Sequence, residues 1–195
     1  HKFIKIEGVT AKEFRQDKVY IADYSAIIFT SRNAVDHFFR IAREMRVEVT
    51  DSMKYFCISE ATAFYLQKYV PYRKRKIFHG KQTFADLMEV IIKKHINENF
   101  LLPCSDIQKV SISKLLDAKR IKYRKAVIYK TFASNLSTVD IEKYDILIFF
   151  SPSGVKSLFK NFPEYKQNNT LIAAFGPTTS KAVKDAGLKL NINAP

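Results

Sequence analysis

Short, continuous apolar runs recur along the chain and alternate with segments of helical periodicity. Such runs are typical of strands buried on both faces of a parallel sheet, whereas strict apolar–polar alternation indicates a half-exposed sheet. The predicted strands are residues 25–30, 54–58, 76–78, 100–103, 125–129, 145–150, 170–175 and 188–192. The pattern predicts an α/β fold built from βα units, and a mixed α+β arrangement is the alternative.

Five segments carry apolar residues three or four positions apart, which is the spacing of one helix face. Thr83, three residues before Asp86, is the predicted N-cap of one helix, and Gly187 is the predicted C′ residue of another. Pro163 is expected to end a third helix. The apolar stripes occupy residues 34–45, 84–92, 112–116, 155–162 and 182–186.

The two halves of the chain resemble each other. Residues 27–39 (IIFTSRNAVDHFF) align with residues 147–159 (LIFFSPSGVKSLF), and Ser31 coincides with Ser151. A weaker similarity relates residues 57–66 to residues 174–183, where Thr62 aligns with Thr179. Such a repeat predicts two similar parallel-sheet domains of three layers each. Chance similarity between two βα units is the alternative.

Hydroxyl-rich turns follow four of the predicted strands, at residues 30–33, 59–62, 151–154 and 176–179. Ligands of such folds bind at the carboxyl ends of parallel strands. A helix N-terminus also attracts carboxylate or phosphate through its free N–H groups and partial positive charge. Ordinary N-capping accounts for any one of these turns. Four of them in a repeated arrangement indicate an anion-binding site.

A formal net charge of +14 and a pI near 9.7 point to an anionic partner. The candidates are nucleic acid, a membrane surface or a polyanionic small molecule. The alternative is a solvated Lys-rich surface that serves no specific partner. Basic runs at residues 73–76 and 120–125, interleaved with tyrosines, suit nucleic acid, but no nucleic-acid module accompanies them. No apolar run is long enough to span a bilayer. A solvated basic rim is therefore the preferred interpretation of the two runs. Nucleic acid and membrane are not the partners that we predict, and nucleic acid stays open as the alternative.

The sequence offers no metal or nucleotide motif. Cys57 and Cys104 lie far apart with no CxxC, which fits a reducing cytosol and predicts a cytoplasmic protein. His37, His79 and His95 follow no ligand spacing; His37 is expected at the surface or its boundary, and His95 in solvent. Phosphate-loop, HExxH, GxSxG and GxGxxG patterns are absent from the sequence. Neither a metal nor a cofactor is predicted.

Five segments together resemble successive landmarks of the uroporphyrinogen-III synthase family, in the family's order and at its spacing. FFSPSGV and AAFGPTTSKAV are the most specific, TSRNAV is nearly as good, and residues 76–119 match only in pattern. Ser59-Glu60 stands where many members have a Gly-containing turn. The segments are IIFTSRNAVDHFF, YFCISEATAFYL, KAVIYKT, YDILIFFSPSGVKSLF and IAAFGPTTSKAVKDAGL.

The resemblance implies two α/β domains joined by a two-stranded linker. Residues 3–6 and 127–131 would form the linker strands, and residues 10–126 the continuous domain. Residues 132–195 would form most of the second domain. The family's opening strand and helix have no counterpart in this sequence, so that domain is expected to be incomplete and a segment is expected to precede His1.

The resemblance also implies an activity. Family members close hydroxymethylbilane, a linear tetrapyrrole with acetate and propionate groups, into a ring with inversion of ring D and loss of water, a lyase reaction of heme and porphyrin biosynthesis. A polyanionic substrate suits the +14 charge. The protein is expected to be a monomer that contacts hydroxymethylbilane synthase transiently. The alternative is a non-catalytic duplicated α/β module that binds an anionic ligand or nucleic acid.

The resemblance assigns roles to particular residues. Tyr129 matches the family's candidate general acid for the departing hydroxyl, and a buried linker tyrosine is the alternative for it. Lys130 would be a weaker charge partner than Arg32. The family implies no metal or organic cofactor. The residues expected to bind substrate carboxylates are Ser31, Arg32, Thr62, Ser151, Ser153, Thr178 and Thr179.

Overall fold

The computed structural model describes residues 1–107 and 110–194, which divide into two compact units. The larger unit is residues 7–130, and the smaller unit is residues 1–6 together with residues 131–195. The strands are β1 (Ile4–Gly8), β2 (Ala26–Phe29), β3 (Lys54–Cys57), β4 (Ile77–His79), β5 (Phe100–Ser105), β6 (Tyr123–Ala133), β7 (Ile146–Phe149), β8 (Leu171–Phe175) and β9 (Ile192–Ala194). The helices are α1 (Ala11–Gln16), α2 (Arg32–Glu44), α3 (Glu60–Leu66), α4 (Phe84–Lys94), α5 (Val110–Ala118), α6 (Pro152–Asn161) and α7 (Pro177–Asp185).

The six-stranded sheet has the order β1-β6-β5-β2-β3-β4. Strand β2 pairs in parallel with both β3 and β5, and the pairs β3–β4 and β5–β6 are also parallel. The chain first builds outward from β2 through β3 and β4, and then continues on the other side of β2 with β5 and β6. The strand order therefore reverses between β2 and β5. In open α/β sheets, ligands bind in the crevice at such a switch point.

Both faces of this sheet are buried. Along β2, Ile27 and Phe29 belong to the core under α2 and α3, while Ile28 faces the core under α4 and α5. Successive side chains of a strand point to opposite faces, so a fully buried strand requires apolar residues at every position. The prediction of strands buried on both faces is confirmed for β2. An α/β fold with mostly parallel sheets is likewise confirmed.

The smaller unit contains a parallel sheet of order β7-β8-β9. Its core lies under α6 and α7 and includes Phe149 of β7 and Val183 of α7. Ile146 and Ile148, also on β7, are exposed, so β7 alternates between buried and exposed positions. The prediction of burial on both faces is wrong for this strand, because within the described residues of this unit helices pack on one face only.

Another sequence prediction fails at the end of the chain. The apolar pattern predicts a strand at residues 188–192, but β9 is Ile192–Ala194. Gly187, at φ +75°, ends α7 as the sequence predicts, and the apolar Leu188 then packs into the core rather than into a strand. The Asn191 side chain accepts a hydrogen bond from the amide of Ile172 at 2.9 Å, so regular pairing begins one residue later.

Two further features bear on the predictions. Thr83 caps α4 in a capping box with Asp86, as the sequence predicts. Across residues 1–107 and 110–194, every helix falls short of the length and apolarity that crossing a membrane requires.

Candidate active site

Ser31 stands where β2 ends and α2 begins, at the switch point of the larger sheet. Its backbone is extended, and its Oγ accepts a hydrogen bond from the Ala34 amide at 3.1 Å. This N-cap satisfies one of the amides that a helix start leaves without an intrahelical partner. The hydroxyl proton of Ser31 remains available for a second hydrogen bond.

Tyr129 follows a bulge in β6. Cys104 of β5 pairs with Val127, but the next residue, Ser105, pairs with Tyr129, so β6 holds one extra residue at this point. A bulge re-aims the side chain that follows it. The Tyr129 side chain accordingly turns into the core that also holds Ile128, and it is only 8% exposed. Its hydroxyl lies 3.3 Å from the Ser31 Oγ.

His37 of α2 stacks on the Tyr129 ring. The ring centroids are 5.2 Å apart, and the ring planes are inclined by 23°. The Arg40 Nε donates to the His37 Nδ1 at 3.3 Å, and its Nη2 donates to the carbonyls of Val9 and Ile128 at 2.7 Å and 3.4 Å. A single guanidinium thus contacts both the imidazole and the backbone that leads into Tyr129.

The surroundings of His37 favour its neutral form. Burial lowers the pKa of the imidazole below its ordinary value, the Arg40 charge lowers it further, and Asp36 opposes both effects in part. A neutral imidazole also accounts for the hydrogen bond, because Nδ1 can accept from Arg40 only while it carries no proton.

Arg32 lies in the first turn of α2 and faces the ring of Tyr65, whose centroid is 5.5 Å from the guanidinium carbon. The hydroxyls of Tyr65 and Tyr69 donate to the Asp36 carboxylate at 2.8 Å and 2.5 Å. Burial alone would raise the pKa of Asp36, but hydrogen bonds from Tyr69 and Tyr65 and the nearby Lys68 ammonium hold it below its usual value. Arg32 therefore extends from an ordered cluster of aromatic and charged side chains.

Thr62 lies in the first turn of α3 and is buried. Its amide donates to the Ser59 Oγ, the N-cap, at 3.3 Å, and its own hydroxyl lies 3.2 Å from the same oxygen. The local hydrogen bonds account for Thr62 as part of a capped helix start. Lys130, the weaker charge partner, pairs instead with Glu13 at 3.1 Å.

The turns of the smaller unit differ from that of Ser31. Ser151 takes the N-cap position of α6, yet its hydroxyl makes no capping hydrogen bond to any residue in the described ranges. Ser153 is half-buried in the first turn of the same helix. Gly154 follows, and a Cβ at that position would stand 3.3 Å from the Phe149 ring, so the helix lies close against β7. The Ser151 hydroxyl is left to meet a ligand or solvent.

The second turn of this unit begins at Gly176, which has φ +78° and precedes Pro177 at the start of α7. A positive φ favours glycine at this position. Thr178 is exposed, whereas Thr179 is buried. Because β7 and β8 are adjacent and parallel, the turns that carry Ser151 and Thr178 follow neighbouring strand ends.

A known protein family matches almost the whole chain. The model of the family described as "Uroporphyrinogen-III synthase HemD" matches residues 3–195. The chain belongs to the uroporphyrinogen-III synthase family. This confirms the resemblance that the sequence landmarks suggested. No curated protein sequence matches the chain.

Solved uroporphyrinogen-III synthases share the fold. The enzyme of Helicobacter pylori is 21% identical with a TM-score of 0.69, and the match covers 97% of this chain and 83% of that one. A mutant of the Thermus thermophilus enzyme is 13% identical with a TM-score of 0.64, and the match covers 99% of this chain and 81% of that one. At these identities the likeness shows the fold.

The predicted site residues of this family member carry hydroxyls, amides and a guanidinium. In the part of the chain that the structure describes, no cluster of three or more His, Cys, Asp or Glu side chains could hold a metal ion. Cys57 and Cys104 are free and buried, and burial raises the pKa of their thiols to about 12 and about 11. Such thiols are poor nucleophiles at neutral pH.

Among the predicted site residues of this uroporphyrinogen-III synthase family member, the structure brings Ser31 and Tyr129 into direct contact. Arg32 follows Ser31 directly along the chain, and Thr62 lies in the first turn of α3, without a hydrogen bond to Ser31 or Tyr129 among the described interactions. His37 is half-buried and so lies at the surface boundary, as the sequence predicts, but sequence reasoning missed its contact with the Tyr129 ring. Its partner comes from a distant strand, so local spacing carried no signal for the contact.

Proposed function

We propose that this protein catalyses the uroporphyrinogen-III synthase reaction, in which hydroxymethylbilane is cyclised with inversion of ring D and loss of water. The family match over residues 3–195 is the observation that carries the proposal. The contact between Tyr129 and Ser31 supports it, because it holds a phenol at the switch point of the sheet, where ligands of such folds bind.

The reaction needs orientation more than reactive side chains. The hydroxyl of the terminal hydroxymethyl group leaves as water, assisted by the electrons of its pyrrole nitrogen, and the substituted carbon of ring D attacks the exocyclic methylene of the resulting azafulvene. A spiro intermediate then opens and recloses with ring D inverted. Holding the linear chain folded for that attack is catalysis by orientation. Tyr129 would donate a proton to the departing hydroxyl, a contribution of about 10²–10⁴-fold at most for a general acid.

The substrate carboxylates require hydrogen-bond donors and cations. In our proposal the larger unit supplies Ser31 and Arg32 at the start of α2 and Thr62 in the first turn of α3. The Arg32 guanidinium would pair with a carboxylate, and the Ser31 and Thr62 hydroxyls would turn to the substrate from Tyr129 and Ser59, their partners in this structure. The smaller unit supplies the hydroxyls of Ser151, Ser153, Thr178 and Thr179. The Ser151 hydroxyl suits this role, since it is not used as a cap within the described residues.

The finer features of the family complete the proposal. The two units would be its two domains, with residues 3–6 and 127–131, which overlap β1 and β6, as the strands of the linker. The reaction would be that of a lyase, carried out by a cytoplasmic monomer. Contact with hydroxymethylbilane synthase would be transient, and it would hand over the linear tetrapyrrole before that substrate closes spontaneously to the symmetrical type I isomer.

The deciding experiment supplies hydroxymethylbilane to the protein, oxidises the products and separates the type I and type III porphyrin isomers. We expect type III to predominate, because only enzyme-guided attack at the substituted carbon inverts ring D. Type I alone, formed at the rate seen without protein, would overturn the proposal. Steeply salt-dependent binding to duplex DNA in that case would favour the non-catalytic binding module.

The role of Tyr129 is tested separately with Y129F. We expect turnover to fall by about ten- to a hundredfold, the scale of a lost general acid, with type III still the main product. Y55F is the matched control, because Tyr55 is also a buried tyrosine of the larger unit but lies in the core on β3. Unchanged turnover in Y129F would remove Tyr129 from the mechanism.

A further inference from the structure

The stack of His37 on Tyr129 joins a helix to a strand. His37 lies on α2 and is half-buried, and Tyr129 lies on β6 directly after the bulge. With centroids 5.2 Å apart and planes 23° apart, the two rings have the geometry of an offset stack. Such a contact restricts how the Tyr129 ring can tilt. The restriction is needed here because the bulge interrupts the regular pairing of β6 that would otherwise help to fix the side chain.

Arg40 fixes the imidazole from the other side. Its Nε donates to the His37 Nδ1 at 3.3 Å, and its Nη2 donates to the carbonyl of Ile128, the residue before Tyr129, at 3.4 Å. The Arg40 Nη1 pairs with Glu44 at 2.8 Å. Glu44 therefore holds the Arg40 guanidinium, which contacts both the imidazole and the strand segment that carries the phenol.

Ser31 meets the opposite end of the Tyr129 side chain. The two hydroxyl oxygens are 3.3 Å apart, and the Ser31 Oγ is itself anchored by the Ala34 amide at 3.1 Å. The phenol thus has a ring held by one residue of α2 and a hydroxyl held by the N-cap of the same helix. Both contacts come from α2, so the helix sets the tilt and direction of the phenol together.

We propose that His37 is a positioning residue for the cyclisation reaction. Its imidazole, held by Arg40, fixes the Tyr129 ring so that the phenol hydroxyl stays at Ser31 in the orientation needed to donate its proton. The catalytic meaning of this contact rests on the proposed function, which gives Tyr129 its role as general acid. The contact itself is a property of the larger unit.

The positioning depends on the charge of His37. The charged and titratable groups that face the imidazole are Asp36 and Arg40 on α2 and Tyr129 on β6. Protonation would place a proton on Nδ1 and set two cations side by side, and their repulsion would push the imidazole away from Arg40. Because burial and Arg40 lower the pKa of His37, the neutral form prevails at neutral pH. The positioning should fail only on the acid side.

Two variants separate stacking from titration. H37F keeps a flat ring that cannot be protonated, and H37A removes the ring. Loss of an aromatic stack corresponds to a fall in kcat of about three- to tenfold, which we expect for H37A with KM little changed. H37F also loses the hydrogen bond from Arg40 but gains no charge, so its kcat should lie between those of the wild type and H37A. It should also lose the fall in kcat that occurs in the wild type as the pH drops through the lowered pKa of His37.

H95F is the matched control. His95, which the sequence wrongly predicts in solvent, is another half-buried histidine of the larger unit, with its ring centroid 4.3 Å from that of Phe78. Burial and Lys54 lower its pKa. It does not stack on Tyr129 among the described ring contacts, so H95F should keep the wild-type pH profile. In a Y129F background, H37A should lower kcat no further, because its effect passes through the lost hydroxyl.

An NMR measurement tests the contact without turnover. Tyrosine labelled with ¹³C at Cζ gives one resonance per tyrosine, and the Tyr129 resonance is the one missing from Y129F. We expect it to shift as the pH is lowered through the pKa of His37 in the wild type and H95F but not in H37F, because the imidazole that stacks on the Tyr129 ring gains its charge there. The proposal would be overturned by a Tyr129 resonance that titrates in the same way in the wild type and H37F. It would also be overturned if the effects of H37A and Y129F on the free energy of activation were additive in the double variant.

Failure of the proposed function leaves a different signature. A wild-type protein that forms only the type I isomer overturns the synthase activity, whatever the NMR titration gives. If the wild-type protein forms type III but the pH-dependent shift of the Tyr129 resonance is the same with and without His37, the positioning role alone is overturned.

Discussion

At the scale of single residues, Asp36 accepts hydrogen bonds from two tyrosine hydroxyls, Tyr65 and Tyr69, and so joins α2 to the segment around α3. Hydrogen bonds to a charged acceptor contribute about 1.5–3 kcal/mol each when buried, and exposure reduces this. Because the Asp36 side chain is about a third exposed, we expect D36A to lower the free energy of unfolding by about 1–2 kcal/mol at neutral pH, measured by urea denaturation.

The pH dependence of this effect follows from the pKa of Asp36, which is lowered in the folded protein. A lowered pKa stabilises the fold at pH values above the unfolded pKa, about 3.9, and that stabilisation is lost as the pH falls through the folded value. The difference between D36A and the wild type should therefore shrink below about pH 4. D51A is the control, because Asp51 is 94% exposed and its ion pair with Arg73 spans 3.7 Å. A D51A effect as large as that of D36A would contradict the prediction.

At the scale of elements, Ser31 and Ser151 start helices from equivalent positions of the sequence repeat but do so differently. The Ser31 hydroxyl caps α2, whereas that of Ser151 makes no capping bond to α6 in the described structure. We expect S31A to lower the free energy of unfolding by about 1 kcal/mol, the usual value of an N-cap. S151A should stay within about 0.5 kcal/mol of the wild type. Equal destabilisation in both variants would mean that Ser151 also acts as a cap, and its proposed ligand role would lose its support.

Most elements could be predicted from the sequence because local apolar patterns decide them. Strand β2 and the ends of α4 and α7 follow from a buried run, a capping box and a glycine at positive φ. The exposed positions of β7 could not be predicted, because burial depends on what packs against the sheet and not on the strand itself. The prediction of a strand at Leu188 failed because an apolar residue that packs into the core after a helix gives the same sequence pattern as a buried strand residue.

The candidate site shows a similar division. Family landmarks pointed to Ser31 and Tyr129, and the structure brings these two together. The contact of His37 with Tyr129 depends on a bulge in β6, where one extra residue turns the phenol into the core under α2. A bulge is a matter of strand register, which apolar patterns leave open at a single residue.

At the scale of the whole molecule, the net charge of +14 has two interpretations, attraction of a polyanionic substrate or a solvated basic surface. Raising NaCl from about 0.1 M to about 1 M shortens the Debye length from about 10 Å to about 3 Å and so screens long-range attraction. If the charge attracts the substrate, KM for hydroxymethylbilane should rise by about an order of magnitude while kcat changes little, because screening weakens encounter more than the contacts of the bound state.

Steady-state kinetics of type III formation at several salt concentrations measure this split between KM and kcat. Sucrose at matched osmolality is the control, since it changes solvent properties without screening charge. A KM that is indifferent to salt would mean that the basic side chains are mostly solvated, and that recognition rests on the helix starts and Arg32 at short range. A parallel fall in kcat would point instead to charges that act on the bound substrate, because only interactions made in the complex alter its turnover.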